Sequence, residues 1–339
     1  MQKLVLVTGG NGFLALHIIQ DLLTAGYAVR ATLRSLDKAS TVKQALTTHQ
    51  VPNLTQLSFV TADLNKDANW SAAMAGVNAV MSVAAPVFVN GESVDAKMNH
   101  ASQAGTNRIL KAASAAGVSR VVMTGNLGAV GFSNFSKTTP VTADDWTDPD
   151  QPGLSPYEKS KLLAEQAAWQ FVQTHPNAPQ LVTVNAGAML GPSLDDHVSG
   201  SFGILTRLID GKLTPNLTIN VVDVRDIARM HILALETSSA AGQRFVAVAP
   251  TAIDMRSVIK LIRTTRPDLT DKLPRHLLPT KLVHLLAPLN SEIKSADLML
   301  RINHHVSTQA ANDGLKWHAQ YSSEQAVVAA LRSLPAGSK

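Results

Sequence analysis

Short apolar runs rich in valine punctuate the first two thirds of the chain, at residues 4–7, 29–33, 57–60, 77–84, 121–124 and 181–185. They are continuous instead of alternating, which is the pattern of parallel strands covered on both faces. Between them, residues 14–25, 99–116 and 156–174 carry apolar positions at helical spacing. The order strand, helix, strand predicts a Rossmann-type α/β fold, a doubly wound parallel sheet. After about residue 190 Pro192, Gly200, Gly203, Gly211 and Pro215 break the pattern, and only short strands near 219–222 and 245–248 stand out. The expected organisation is a nucleotide-binding core over residues 1–190, which also receives the strand and helix near 219–236. A smaller mixed α/β substrate lobe would be built mainly from residues 191–339.

The first strand runs into Thr8-Gly9-Gly10-Asn11-Gly12-Phe13-Leu14-Ala15, and a helix follows. In this spacing Gly9 permits the tight turn, Gly12 lets backbone approach a pyrophosphate, and Ala15 keeps helix and strand close. The helix N-terminus then offers unpaired N–H groups and the positive end of its dipole. A dinucleotide is the expected ligand. An NAD site carries an acid roughly 20 residues after the glycines to hold the ribose 2′-hydroxyl. Here Arg34 takes that place and Lys38 follows four residues on, two cations suited to a 2′-phosphate. NADP (NADPH) is therefore expected, although Asp37 could instead turn inward to a ribose hydroxyl.

Three tyrosines exist, and one of them opens Tyr157-Glu158-Lys159-Ser160-Lys161 at the start of a helical stretch. Positions four apart share a helix face, so the Tyr157 phenol and the Lys161 ammonium can enter one site. A free phenol titrates near pH 10, and a fixed cation beside it favours the phenolate. Such a pair suits proton donation to a carbonyl oxygen as hydride arrives.

Composition narrows the field. With 45% hydrophobic and 16% charged residues the chain reads as globular, and its cysteine count of 0 excludes disulfides and thiolate chemistry. The net charge of +5 is a modest excess. The basic positions between Lys260 and Lys281 are interspersed with acids and apolar residues, as on a solvated face, so no nucleic-acid partner is expected. His304 and His305 are adjacent instead of one helical turn apart and read as a surface pair, with no metal expected. The apolar N-terminal run is too short for a signal core, and no stretch approaches the roughly 20 apolar residues of a membrane span. The expectation is a cytoplasmic protein without a membrane partner. The oligomeric state is left open, a homodimer being one reading.

The segments Thr8–Phe13, Arg30–Arg34, Thr61-Ala-Asp63-Leu64, Val83-Ala-Ala-Pro86, Tyr157-x-x-Ser-Lys161 and Val222-Asp-Val-Arg-Asp-Ile-Ala-Arg-Met-His231 occur in family order. With them the chain resembles the extended short-chain dehydrogenase/reductase superfamily, in its branch of dihydroflavonol-reductase-like carbonyl reductases. The resemblance implies Tyr157 as acid/base and Lys161 as its partner and a ribose ligand. It implies a cofactor site of Gly9, Asn11, Gly12, Phe13, Leu14, Arg34, Lys38, Asp63, Leu64, Val83, Ala84, Ala85, Ala186 and Met189. Two departures stand out. Where the family places a carbonyl-polarising serine the chain reads Thr124-Gly125-Asn126, so Thr124 or Asn126 is the candidate donor. The alternative is a turn with positive φ at Gly125-Asn126. Asn185-Ala186-Gly187 lacks the family's proline, which should loosen the loop there. Asp223, Asp226 and His231 read as structural ties.

Phe88, Val89, Met189, Leu190 and Phe202 would form an apolar substrate wall, fitting a hydrophobic or aromatic carbonyl compound. The expected activity is NADPH-dependent reduction of ketones or aldehydes. The alternatives are a sugar-nucleotide epimerase or dehydratase holding NAD and a non-catalytic NADPH sensor. Arg34 and the apolar wall weigh against the first, the intact Tyr157 and Lys161 pair against the second.

Overall fold

In the computed structural model, which describes residues 3–84 and 94–335, strands and helices alternate as the apolar pattern predicts. β1 (Leu4–Val7), α1 (Phe13–Thr24), β2 (Ala28–Leu33), α2 (Ala39–Thr48), β3 (Leu57–Thr61), α3 (Trp70–Met74) and β4 (Ala79–Ser82) form the first half of the core. α4 (Val94–Ala115), β5 (Arg120–Asn126), α5 (Pro156–Thr174) and β6 (Gln180–Ala186) form the second. Then come β7 (Ala188–Leu190), α6 (Gly203–Ile209), β8 (Thr218–Ile219), β9 (Val221–Asp223), α7 (Val224–Glu236), β10 (Arg244–Ala247) and β11 (Ile253–Asp254). The C-terminal part is helical: α8 (Met255–Thr265), α9 (Thr280–Leu286), α10 (Ser291–Arg301), α11 (Gln309–Leu315) and α12 (Ser323–Ser333).

Seven parallel strands stand in the order β10-β6-β5-β4-β1-β2-β3. The order reverses between β1 and β4, and the crevice beyond the strand C-termini at such a switch point is where ligands bind in this architecture. The apolar runs are continuous because both faces are covered. In β1 Val5 and Val7 pack with α1 and α7, while Leu6 points to the other face, in a cluster with Ile109 and Leu110 of α4. β5 repeats the division, Val122 on the first face and Val121 and Met123 on the second. Full burial of each such side chain contributes roughly 1.5–3 kcal/mol.

One expectation is corrected. The strand near 219 does not enter the large sheet; β9 pairs with β7 and β8 pairs with β11, each as a two-stranded sheet. The seventh strand is β10, whose short apolar run lies after the alternation of strands and helices has broken, so the sequence pattern does not assign it to the sheet. α7 does pack on the core, against α1. The lobe shares this core: Trp317 is fully buried and its indole N–H donates to the Asp226 carbonyl at 3.0 Å. The Asp226 carboxylate accepts the N–H groups of Gln320 and Tyr321. Asp223 forms a two-pronged pair with Arg225, at 2.8 Å for each nitrogen. No helix among the described residues is long and apolar enough to cross a membrane.

Candidate active site

The turn after β1 is built so that backbone, not side chain, faces the crevice. Gly9 adopts φ +67°, and a Cβ added to Gly10 would come within 2.5 Å of the Ala31 Cβ. α1 has Gly12 at its N-cap and therefore no side-chain cap, leaving its first N–H groups for an anionic ligand. The Thr8 hydroxyl accepts the N–H groups of Val83 and Ala84, both at 2.9 Å, and so fixes the end of β4 beside the turn. These elements open on a cleft of about 700 Å³ lined by Gly9, Asn11, Gly12, Phe13, Leu14, Arg34, Asp63, Leu64, Val83 and Ala84.

Of the two expected phosphate cations the structure brings one to the cleft. Arg34 lies exposed at its rim, and its guanidinium makes no hydrogen bond or ion pair among the described residues. Lys38 sits beyond the lining, on a short turn that rotates it toward solvent. Asp37 is held by its own turn, accepting from the Ser35 hydroxyl at 2.8 Å, and does not face the cleft.

α5 delivers the reactive pair. Ser155 caps it, accepting the Glu158 N–H, while Glu158 accepts the Ser155 N–H at 3.0 Å, and Pro156 occupies the first turn. This reciprocal box fixes where the helix starts, and hence the direction of Tyr157. Tyr157 and Lys161 both line the cleft, with the Lys161 Nζ 6.0 Å from the centre of the phenol ring. Burial lowers Lys161 to about 8, and no acceptor among the described residues pairs with it. Burial also raises the Tyr157 phenol, Glu158 adds to the rise, and a hydrogen bond with the Asn126 side chain opposes it. The lowered phenol expected from its neighbour Lys161 is thus not the net result in this cleft. Tyr157 stays protonated at neutral pH, the form a proton donor requires.

Further along, α5 is locked from behind. Glu165 is fully buried, pairs with Arg244 of β10 at 2.9 Å, and accepts from the Thr183 hydroxyl and the Asn185 amide of β6. Arg244 stacks over Trp146 at 3.6 Å and donates to the carbonyls of Ala143 and Asp145.

At the end of β5 the structure separates the two candidate donors. His231 Nδ1 lies 2.9 Å from the Ile227 carbonyl, and its Nε2 lies 2.8 Å from the Thr124 hydroxyl. Burial holds this ring down at about 4, so it is neutral and its one N–H serves Ile227. Nε2 must then accept, and the Thr124 proton points to His231, away from any substrate. Asn126 differs: its carbonyl oxygen accepts the Gly128 N–H at 2.6 Å, which leaves its amide N–H groups for the Tyr157 side and the cleft.

The positive-φ alternative fails, because β5 continues through Asn126 at φ −139°. Gly125 is required instead by packing: an added Cβ would overlap the Asn185 side-chain oxygen and lie 2.9 Å from its Cγ. Nor is the segment without proline loosened. β6 runs to Ala186, which is 2% exposed at the cleft base, and the ladder extends to a Gly187 N–H bond with Ala247 at 3.0 Å.

The substrate end needs more correction. Met189 faces the cleft, but Leu190, the next residue of β7, points to the opposite side and is fully buried. Phe202 is 2% exposed and packs edge-on against Phe13 with ring centres 5.4 Å apart, so it supports the wall from behind. Ala85, Phe88 and Val89 lie outside the described residues. The wall instead includes Phe132, Val198, Ile204, Asn220, Met299 and Ile302. These come from separate segments with no local motif, and only Asn220, just before the Val222–His231 segment, stood near a sequence signal. His304 is also not a surface residue: it is half-buried and hydrogen-bonds Asn220 and Met299.

Residues 6–247 match the model of the 3-beta hydroxysteroid dehydrogenase/isomerase family. The chain is 30% identical over 273 residues to cinnamoyl-CoA reductase CAD2 of Medicago truncatula, covering 79% of this chain and 82% of that one. It is 32% identical over 269 residues to an anthocyanidin reductase, (2S)-flavan-3-ol-forming, of Vitis vinifera, covering 74% and 78%. Among solved structures, Gre2 of Candida albicans in complex with NADPH superposes with a TM-score of 0.77 at 25% identity, over 98% of both chains.

Proposed function

The chain belongs to the 3-beta hydroxysteroid dehydrogenase/isomerase family of extended short-chain dehydrogenases/reductases, and from that premise we propose that it is an NADPH-dependent reductase of ketones and aldehydes. One observation carries the reading: the Tyr157 phenol and the Lys161 ammonium, which has no acceptor among the described residues, share a cleft with the N-terminus of α1, which no side chain caps. The residues present fit the cofactor. The open backbone at Gly9 to Gly12 suits a pyrophosphate, Arg34 suits a 2′-phosphate, and Lys161 suits ribose hydroxyls. Residues 191–339 then serve mainly as the substrate lobe, around a core that holds the cofactor.

NADPH, held by the residues above, would supply the hydride for the carbonyl carbon. The protein's part is proton delivery and alignment. Tyr157 gives its phenolic proton to the carbonyl oxygen, and the nearby Lys161 cation offsets the charge left on the phenolate. Asn126 offers an amide N–H to the same oxygen, in place of a serine hydroxyl. The walls of Phe132, Met189, Val198, Ile204, Met299 and Ile302 favour a hydrophobic or aromatic carbonyl compound. No observation favours an epimerase, whose NAD would want an acid where Arg34 stands, or a sensor, which has no use for the Tyr157 and Lys161 pair. Tyr157→Phe tests the assignment: NADPH binding should change little while ketone reduction falls by about a hundredfold or more. Turnover at the parent rate would sink it.

A further inference from the structure

The hydrogen-bond pattern around His304 has one arrangement in which every polar atom is satisfied. Its Nε2 lies 3.0 Å from the Met299 carbonyl oxygen and its Nδ1 lies 2.9 Å from the Asn220 side-chain oxygen. Both neighbours accept only. The Asn220 amide cannot be turned to relieve this, because its nitrogen donates to the His304 carbonyl at 2.9 Å, and reversal would set two oxygens against each other. A neutral imidazole has one N–H and can serve one of the two contacts; an imidazolium serves both. Asn220 and Met299 both line the cleft. The Asn220 carbonyl also accepts the Ala188 N–H at 2.8 Å, which links the tie to the strand carrying Met189.

We propose that His304 is a positioning residue for the substrate end of the cleft. As an imidazolium it clamps Asn220 to Met299 and fixes one shape of the wall, and loss of its proton releases one side of the clamp. The proposal rests on reading this end of the cleft as the substrate wall. Burial and the charge of Lys137, the cation that faces the ring from the loop after β5, both favour the neutral form. The two acceptors favour the charged form, but burial outweighs them and the ring lies below its ordinary value, so the clamp forms on acidification and opens toward neutral pH.

The test uses the whole protein with 15N-labelled histidine. Long-range proton–nitrogen spectra from pH 5 to 7.5, with the ring assigned through His304→Gln, should show both His304 nitrogens protonated at the acid end and one bare at the other. Asn220→Ala leaves the ring in place but removes one acceptor, and should move this titration to lower pH. At saturating NADPH, the KM for an aryl ketone that fills the cleft should rise about three- to tenfold across that range, as expected for one lost hydrogen bond, with kcat steady. In His304→Gln that KM should be flat over the same range. One bare nitrogen at every pH, or a titration with no matching change of KM, overturns the proposal. Absence of any ketone turnover would fault the reductase reading instead, and the spectra would still decide the clamp.

Discussion

Replacing His231 with glutamine should flatten the acid sensitivity of the fold by a calculable amount. His231 and His17 are 0% and 4% exposed, and burial holds both rings down at about 4 from 6.5. The folded state therefore binds fewer protons than the unfolded chain between pH 6.5 and about 4, and stability falls as pH falls through that window. Between pH 7 and pH 5 the linkage amounts to about 2 kcal/mol for each ring. Asp21 acts the other way: burial raises it to about 6, so it contributes a gain of about 1 kcal/mol over the same interval. Together these three groups should cost the parent protein about 3 kcal/mol between pH 7 and pH 5. A glutamine at this position can still accept the Thr124 hydroxyl but carries no titrating ring, so the loss should shrink to about 1 kcal/mol. Urea unfolding at the two pH values, followed through the buried Trp70 and Trp317, measures the difference. An unchanged loss would mean that the His231 ring is not held neutral, and the tautomer argument that turns the Thr124 proton away from the substrate would fall with it.

Other expectations follow from the same geometry. Arg34→Leu should raise the KM for NADPH by about tenfold or more while leaving NADH almost unaffected, since one charge-assisted contact to a 2′-phosphate is at stake. Lys161 is charged below about 8 and neutral above it. NADPH affinity, read by fluorescence titration, should therefore weaken as pH rises from 7 to 9, and Lys161→Met should be weak and flat over that range. Gly125→Ala should lower stability by about 1–3 kcal/mol in urea, because a methyl group there must displace the Asn185 amide.

The parts of the site that were legible in the sequence are those whose chemistry is local. The glycine turn and the Tyr157 and Lys161 spacing lie within one turn or one helix, and neighbouring residues constrain where they point. The place of Arg34 in the cleft lining was legible for the same reason, since it directly follows β2, whereas Lys38 lies beyond the lining because a short turn swings it outward. Leu190 and Phe202 were assigned to the substrate by hydrophobicity alone, which cannot say which side of a strand or helix faces the cleft. Phe132, Met299 and Ile302 were invisible because they meet only through tertiary packing, and Asn220 stood beside a recognised segment without being read as part of the site. Asn126 was legible as a replacement for the serine, but the orientation of its amide, with the oxygen turned to the Gly128 N–H, came only from the structure.

The Glu165 and Arg244 pair also bears on the order in which a working molecule can be assembled. The carboxylate that locks the helix carrying Tyr157 waits for a guanidinium 79 residues further along the chain. During synthesis the nucleotide-binding segments are complete well before that partner emerges, and until it does a buried charge has no counter-ion. Removing one member of such a pair costs about 3–5 kcal/mol. A fragment ending at residue 190 should therefore behave as an unfinished core, not as a transplantable cofactor-binding module.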